Sequence, residues 1–311
     1  MIIETQKDVT AAVLSELQRA PDPRFREIMS AFVRHLHDFV RETRLTEEEF
    51  HAAMGYIVAI GKHSSESHNE AVLMAGSLGL SALICLINNG NQGTTETDHN
   101  MLGPFWRMHS PVTPNGGSIV RSPTPGPALF ANVTFHDSAG NPVFGAEVDV
   151  WHSSPEGFYE NQDPIQADMN LHGKFFTDAD GRISFRSVKP AGYPIPIDGP
   201  TGELLRAQGR HNMRPAHLHF LACKEGLKTL ISQLYVQDDK FIDSDVQFGV
   251  TRHLIGDYVR HDGKAPAPDV AGPWYSLDHT FVMEAGPSRL PKPPISGKAR
   301  GERPKIPLLT R

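Results

Sequence analysis

Cysteine is scarce, with two in 311 residues. That excludes the disulfide framework on which small secreted domains depend. Cys85 and Cys223 stand in apolar runs, Leu83-Ile84-Cys85-Leu86 and Phe220-Leu221-Ala222-Cys223. Both read as buried free thiols, which suits a reducing cytoplasm. No apolar run reaches the ~18 residues that suggest a membrane span. The start, Met1-Ile2-Ile3-Glu4-Thr5, lacks a basic stretch followed by an apolar one, so no secretory leader is expected. An excess of positive charge is missing as well: 30 Lys and Arg face 36 Asp and Glu, a net charge of −6, which leaves no basic footprint for nucleic acid. Tyrosines number six against sixteen histidines, so the setting of each tyrosine carries information. The remaining balance, 39% hydrophobic and 21% charged, is that of an ordinary soluble globular protein. The length suits two domains, or one large domain with an appendage.

Residues from about 8 to about 90 carry helical spacing. Val9, Val13, Leu14 and Leu17 fall on one face, and Phe25, Ile28, Met29, Phe32, Val33, Leu36, Phe39 and Val40 repeat the 3–4 interval through a second helix. Thr46-x-x-Glu49 has the form of a capping box and opens a third, through Phe50, Met54, Ile57 and Val58. A fourth is expected from Glu70 to Leu86, stopped by Asn88-Asn89-Gly90. Gly76 and Gly79 inside it each cost roughly 1 kcal/mol against alanine, which points to close packing or to a lining position. From Asn91 the texture changes to short β-type runs. Strands are expected at Ala128 to His136, Ala146 to Trp151, His217 to Cys223, Thr229 to Val236 and His279 to Glu284. Lys174 to Thr177 and Arg182 to Arg186 read as a hairpin around Asp178-Ala179-Asp180-Gly181. That tetrapeptide lacks the later acidic ligands of a calcium loop. Pro287 to Arg311 reads as an extended arm, lying on the surface or on a neighbouring subunit. The fold class is therefore mainly β with a helical N-terminal part: residues 1–100 helical, residues 101–311 a β-sandwich or barrel.

Chemistry concentrates in Arg214-Pro215-Ala216-His217-Leu218-His219-Phe220. Pro215 argues against a helix. On a strand, histidines two apart point to the same face and reach one metal ion. Alone, such a pair is equally a structural feature. Two tyrosines accompany it: Tyr159 follows the Val150-Trp151 strand in Gly157-Phe158-Tyr159, and Tyr193 lies in Gly192-Tyr193-Pro194-Ile195-Pro196, its backbone fixed by proline. Loop tyrosines also plug cores, but two phenolates with two imidazoles form a hard anionic set that suits Fe(III) better than Fe(II).

Taken together, Leu102-Gly103-Pro104-Phe105-Trp106, Asp149-Val150-Trp151-His152 through Tyr159, Gly192-Tyr193-Pro194-Ile195-Pro196 and Arg214 to Phe220 resemble the intradiol ring-cleavage dioxygenases. The resemblance covers most of the chain. It implies a non-haem Fe(III) enzyme that opens catechols between their hydroxyls with O2. Tyr159, Tyr193, His217 and His219 would be the metal ligands. Tyr193 would leave the metal when the diol binds and take up a proton, Arg214 would stabilise charge on the ring, and Gln233 would stand behind the ligands. The pocket wall would comprise Leu73, Gly76, Gly103, Pro104, Phe105, Ile195, Pro196 and Val250. The resemblance also implies a homodimer built by the N-terminal helices, with a lipid lodged at the interface. Its closest branch takes hydroxyquinol (benzene-1,2,4-triol) to 3-hydroxy-cis,cis-muconate, the tautomer of maleylacetate. Gly76 departs from that pattern, standing where hydroxyquinol enzymes carry aspartate and catechol enzymes proline. Catechol or a methyl- or chloro-substituted catechol is therefore the alternative substrate.

Two rival readings differ in class. A cupin-like metal enzyme also uses a His-x-His strand, but Glu225 and Gly209 stand out of step with its motif, and Tyr159 and Tyr193 go unexplained. A non-catalytic β-sandwich binding module with a structural metal needs neither the tyrosines nor Arg214. Outside these contexts Arg214 reads as a surface ion-pair residue, and Phe105 and Trp106 as core.

Overall fold

The computed structural model describes residues 2–89 and 97–309. Its helices are α1 (Gln6–Leu17), α2 (Pro23–Thr43), α3 (Glu47–His63), α4 (Glu70–Ser77), α5 (Leu80–Asn89) and α6 (Pro200–Ala207). The strands are β1 (Ala128–Asp137), β2 (Glu147–Trp151), β3 (His172–Phe176), β4 (Arg182–Val188), β5 (Tyr193–Pro194) and β6 (Met213–Arg214). They continue with β7 (His217–Cys223), β8 (Leu230–Val236), β9 (Ile255–Gly256), β10 (Tyr258–His261) and β11 (Trp274–Met283). By contacts the chain falls into two compact units, Met1–Val58 and Ala59–Arg311. The division runs through α3, and α4 and α5 share the second unit with every strand.

In the first unit the expected capping box forms: Glu49 accepts the Thr46 N–H at 2.9 Å, and Thr46 Oγ1 accepts the Glu49 N–H at 3.2 Å. Asp22 caps α2 by accepting the Arg24 N–H at 2.8 Å. The apolar face of α2 is not a core face. Phe25, Ile28, Phe32, Leu36 and Phe39 are all between 43% and 55% exposed.

In the second unit the single helix expected from Glu70 to Leu86 is two. α4 and α5 meet at a bend of 76°, because Gly79 adopts a left-handed φ of +73° that only glycine takes without strain. Gly90 and Asn91, expected as helix stop and change of texture, lie outside the described residues. No single helix among the described residues is long and apolar enough to cross a membrane.

Two sheets form a sandwich, in the orders β10-β11-β1-β4 and β3-β2-β7-β8-β9. Alternation along the strands gives each sheet one apolar inner face. Leu129, Ala131, Val133 and Phe135 of β1 meet Leu218, Phe220 and Ala222 of β7 in one buried cluster. Phe220 and Phe281 touch across the sheets with ring centroids 5.1 Å apart. The expected hairpin of β3 and β4 is corrected, since the two strands belong to different sheets. Their turn closes locally, with the Gly181 N–H donating to the Asp178 carbonyl at 3.0 Å, and carries the chain from one layer to the other so that Phe175 and Phe185 meet in the core. β11 begins five residues before the expected His279, and β10 was not anticipated. Cys85 and Cys223 are free as expected, but half-buried rather than buried.

The C-terminal stretch 287–309 contains neither helix nor strand and lies along its own unit. Ser296 and Gly297 N–H groups donate to the Glu66 carbonyl at 2.9 and 3.0 Å, and Ala299 N–H to Asn161 at 2.7 Å. Arg303 pairs with the buried Asp163 at 2.5 Å. Near the end, Leu309 N–H donates to Asn212 Oδ1 at 3.0 Å, while Asn212 Nδ2 donates to the Ile195 carbonyl, also at 3.0 Å. The arm thus buttresses the segment that follows Tyr193.

Candidate active site

The outer face of the five-stranded sheet carries the site. Because side chains alternate, Leu218, Phe220 and Ala222 of β7 enter the sandwich core while His217 and His219 point away from it. Register sets their neighbours. Trp151 of β2 faces His219, and on β8 Gln233 faces His219 and Tyr235 faces His217. The Trp151 indole lies flat on the His219 ring, with centroids 4.6 Å apart and planes 7° apart. A separate two-stranded ladder places Tyr193 of β5 directly opposite Arg214 of β6. Tyr159 arrives from the loop after β2.

These elements bring four donor atoms together. Tyr159 Oη lies 2.9 Å from His219 Nε2, 3.4 Å from His217 Nε2 and 3.4 Å from Tyr193 Oη, and the two histidine Nε2 atoms are 3.1 Å apart. Ligands of one ion with bonds of roughly 2.0–2.2 Å need about these separations. The His217 tautomer fits too. Its Nδ1–H donates to the Pro215 carbonyl at 2.7 Å, which leaves the Nε2 lone pair facing the other donors. Burial, then the charge of Arg214, pushes His217 well below the usual histidine range; burial, then His217, does the same to His219. Both imidazoles are thus neutral, as metal ligands must be. Burial pushes the Tyr159 phenol well up, with the neighbouring Tyr193 adding to it, and burial raises Tyr193 against the opposing pull of Arg214. Two phenols held neutral by burial become phenolates only beside a cation, which makes this donor set a fit for a hard, highly charged metal ion.

Arg214 is fully buried, not a surface ion-pair residue. Nε and Nη2 donate to the two oxygens of Asp245 at 3.1 and 3.0 Å, and Nη1 donates to His217 Nε2 at 3.2 Å. Nη2 also donates to the Tyr235 hydroxyl at 2.9 Å and to Gln233 Oε1 at 3.2 Å, while Gln233 Nε2 donates to the Met101 carbonyl at 2.7 Å. Burial and Arg214 act in opposite directions on Asp245, and Arg214 prevails, holding the carboxyl below its usual range. Sequence reasoning missed Asp245, Tyr235 and Trp151. The period-2 alternation of β8 and β2 pointed to the last two, and nothing local pointed to Asp245.

Of the wall residues, Leu73, Phe105 and Ile195 share one buried apolar cluster with Tyr159 and Tyr193. The Phe105 ring lies 4.7 Å from that of Tyr159. Gly103 has a φ of +76°, and a Cβ there would stand 3.3 Å from His219 Cε1, so the backbone itself closes on the His219 ring. Gly76 faces Gln247: a Cβ would lie 2.9 Å from its Nε2, which is buried and without a partner among the described residues. Pro104 lines a cavity of about 480 Å³ with Gln247 and Gly103. Pro196 and Val250 line two other cavities, one with His63 and His68, the other with Arg210 and Asp245. Trp106 is core, its Nε1–H donating to the buried Asp149 at 3.2 Å. Glu225 and Gly209, the positions weighed for a cupin, are both exposed and far in character from the buried histidines.

Comparison with known proteins gives the family. Residues 22–95 match the family model described as catechol dioxygenase N terminus, and residues 103–279 the one described as dioxygenase. The chain is 40% identical over 275 residues to a hydroxyquinol 1,2-dioxygenase of a Rhizobium species, covering 87% of this chain and 92% of that one. It is 35% identical to the catechol 1,2-dioxygenase of Candida albicans, covering 94% and 96%. The structure of hydroxyquinol 1,2-dioxygenase from Pseudomonas putida superposes with a TM-score of 0.80 at 36% identity, covering 90% of this chain and 99% of that one. The chain belongs to the intradiol ring-cleavage dioxygenases, a family of non-haem iron enzymes acting on aromatic diols with O2.

Proposed function

We propose that the chain is an Fe(III) enzyme that opens the ring of hydroxyquinol with O2 to give 3-hydroxy-cis,cis-muconate. The observation that carries this reading is that Tyr159 Oη lies within 3.4 Å of Tyr193 Oη, His217 Nε2 and His219 Nε2 alike, beside the buried Arg214. Those four side chains would hold the ion, which when bound supplies Lewis acidity toward a diol and makes it reactive to O2. The protein's own groups do the rest. Tyr193 accepts a proton from a substrate hydroxyl through its phenolate oxygen. Arg214, fixed by Asp245 in a bidentate pair, offers positive charge where negative charge builds on the ring. Leu73, Phe105 and Ile195 exclude bulk water from the reacting carbons.

The residues 1–100 serve, on this reading, as a helical dimerisation segment and 101–311 as the catalytic part. The exposed stripe Phe25, Ile28, Phe32, Leu36 and Phe39 supports pairing with a second copy. The same apolar face suits a lipid at the interface.

Ferric loading of the purified protein is expected to give a wine-red colour from tyrosinate bound to iron, and anaerobic hydroxyquinol is expected to shift the band. An iron-containing but colourless protein would overturn the ligand assignment.

A second reading, catechol or a substituted catechol as substrate, is favoured by one observation. At Gly76 the space against the wall is taken by a neutral amide, that of Gln247. Gly76→Asp is expected to raise the ratio of kcat/KM for hydroxyquinol over catechol by about tenfold, because a buried acceptor discriminates for a hydroxyl. The new side chain must displace the end of Gln247, so Gly76→Asp combined with Gln247→Ala should show at least the same ratio. An unchanged ratio in both variants would remove position 76 from the determinants of specificity.

A further inference from the structure

A second cluster of metal-ligating side chains stands apart from the tyrosine–histidine centre. His63 ends α3, His68 lies in the connection that follows, and Glu70 opens α4. One ligand atom from each lies within 4.8 Å of the others. Glu70 is 1% exposed, so its carboxylate is no ordinary surface charge. Its Oε1 accepts the Thr201 N–H at 2.7 Å, and its Oε2 lies 2.6 Å from His68 Nε2. The rings of His63 and His68 meet at 85° with centroids 5.4 Å apart. Asp198 adds a fourth donor, an oxygen 3.6 Å from His63 Nε2.

The backbone leaves room for this assembly. A Cβ at Gly199 would stand 2.4 Å from His63 Cδ2 and 2.8 Å from Glu70 Oε1, so only glycine admits both side chains. A cavity of about 480 Å³, lined in part by His63, His68 and Asp198, gives access from solvent. As a hydrogen-bonded pair, His68 and Glu70 account for each other. That pairing leaves unexplained why His63 is brought to the same carboxylate with Asp198 behind it.

We propose that His63, His68 and Glu70, with Asp198 at the rim, form a second site for a divalent metal ion of the zinc class. Two imidazoles and one carboxylate, with the Asp198 carboxylate at the fourth position, are a donor set that zinc takes readily. Neighbouring ligands of a tetrahedral ion with bonds of about 2.0–2.2 Å lie roughly 3.4 Å apart. His68 and Glu70 therefore need to part by less than about 1 Å. The bound ion clamps the end of α3 and the start of α4 to the 196–199 segment. That segment follows Tyr193, and α4 carries Leu73 and Gly76, so the clamp stiffens two walls of the dioxygenase pocket from outside.

The test uses the full chain in its iron-loaded form, cleared of loosely held metal by a mild chelator and titrated with Zn²⁺ by calorimetry. One zinc per chain is expected, with the visible ferric band unchanged. His63→Ala and His68→Ala should each weaken binding by about tenfold or more, again without loss of the ferric band. If His68→Ala fails to fold because Glu70 loses its partner, His63→Ala decides alone, since the Glu70 carboxylate keeps its His68 and Thr201 partners when the His63 imidazole is removed. Absence of a zinc equivalent overturns the proposal. So does zinc binding that is insensitive to His63→Ala, or binding that bleaches the ferric band, because the ion would then occupy the tyrosine–histidine centre.

Discussion

Tyr193→Phe is expected to lower kcat by about 10²–10⁴-fold, the range over which a positioned proton acceptor contributes. The substitution removes one oxygen and little else. The ring at position 193 packs against Phe105, Tyr159 and His217 at centroid distances of 6.4, 5.1 and 5.6 Å, and phenylalanine keeps those contacts. The buried hydroxyl lies 3.4 Å from that of Tyr159 and interacts with the Arg214 guanidinium, whose other donors stay bound to Asp245, so its loss costs about 1–2 kcal/mol. The variant should therefore fold, and on the proposed ligand set Tyr159, His217 and His219 remain to hold iron. Its colour should weaken without vanishing, because one of two tyrosinates is gone. Three readings separate the explanations: iron content, the visible band, and kcat for hydroxyquinol at saturating O2. Iron retained with a weakened band and lost turnover is the signature of a ligand that also moves a proton. Full activity with an unaltered band would remove Tyr193 from the site altogether.

How much of this site was legible beforehand follows from where each interaction is encoded. His217 and His219 were readable because strand alternation is a local rule, and Pro215 settles strand against helix. Tyr159 and Tyr193 were readable as loop residues, but their convergence with the histidines rests on the five-stranded sheet and a separate two-residue ladder, neither of which is written at either position. The sandwich was likewise legible as a succession of short alternating runs. The separation of β3 from β4 was not, because adjacency in sequence suggests a hairpin while the buried Phe175 and Phe185 divide them between layers. The break at Gly79 was visible as a glycine but not as a bend, since a helical glycine and a left-handed one look the same in sequence. The apolar face of α2 showed its period without showing that it stays about half exposed among the described residues. Tyr235 falls on the same face of β8 as Gln233, so alternation carried it once Gln233 was placed. Asp245 was out of reach: it sits 31 positions from Arg214, in a loop whose course only the fold determines.

That loop residue carries the largest expected effect on stability. Arg214 is fully buried and Asp245 is 6% exposed. Each carboxylate oxygen accepts two hydrogen bonds: Oδ1 from Arg214 Nε and the Gln247 N–H, both at 3.1 Å, and Oδ2 from Arg214 Nη2 at 3.0 Å and the Gly249 N–H at 2.9 Å. Asp245→Ala leaves a guanidinium without its counter-charge in a dry interior, together with two backbone donors. Breaking a buried pair in this way costs about 3–5 kcal/mol, which lowers Tm by on the order of 10 °C in a chain of this size. Turnover should also fall, by about 10²-fold or more, because Arg214 no longer holds its charge beside His217. Asp245→Asn keeps the shape and one acceptor oxygen and should lose less stability. The double variant Arg214→Ala with Asp245→Ala separates the two roles. With both charges gone, much of the stability lost in Asp245→Ala should return, while turnover should stay low. Urea unfolding and kcat/KM for the four proteins complete the cycle. If Asp245→Ala unfolds within about 0.5 kcal/mol of the parent, the pair is not what holds Arg214 in place. If the double variant recovers turnover with stability, Arg214 is a structural cation and not the group that meets charge on the substrate ring.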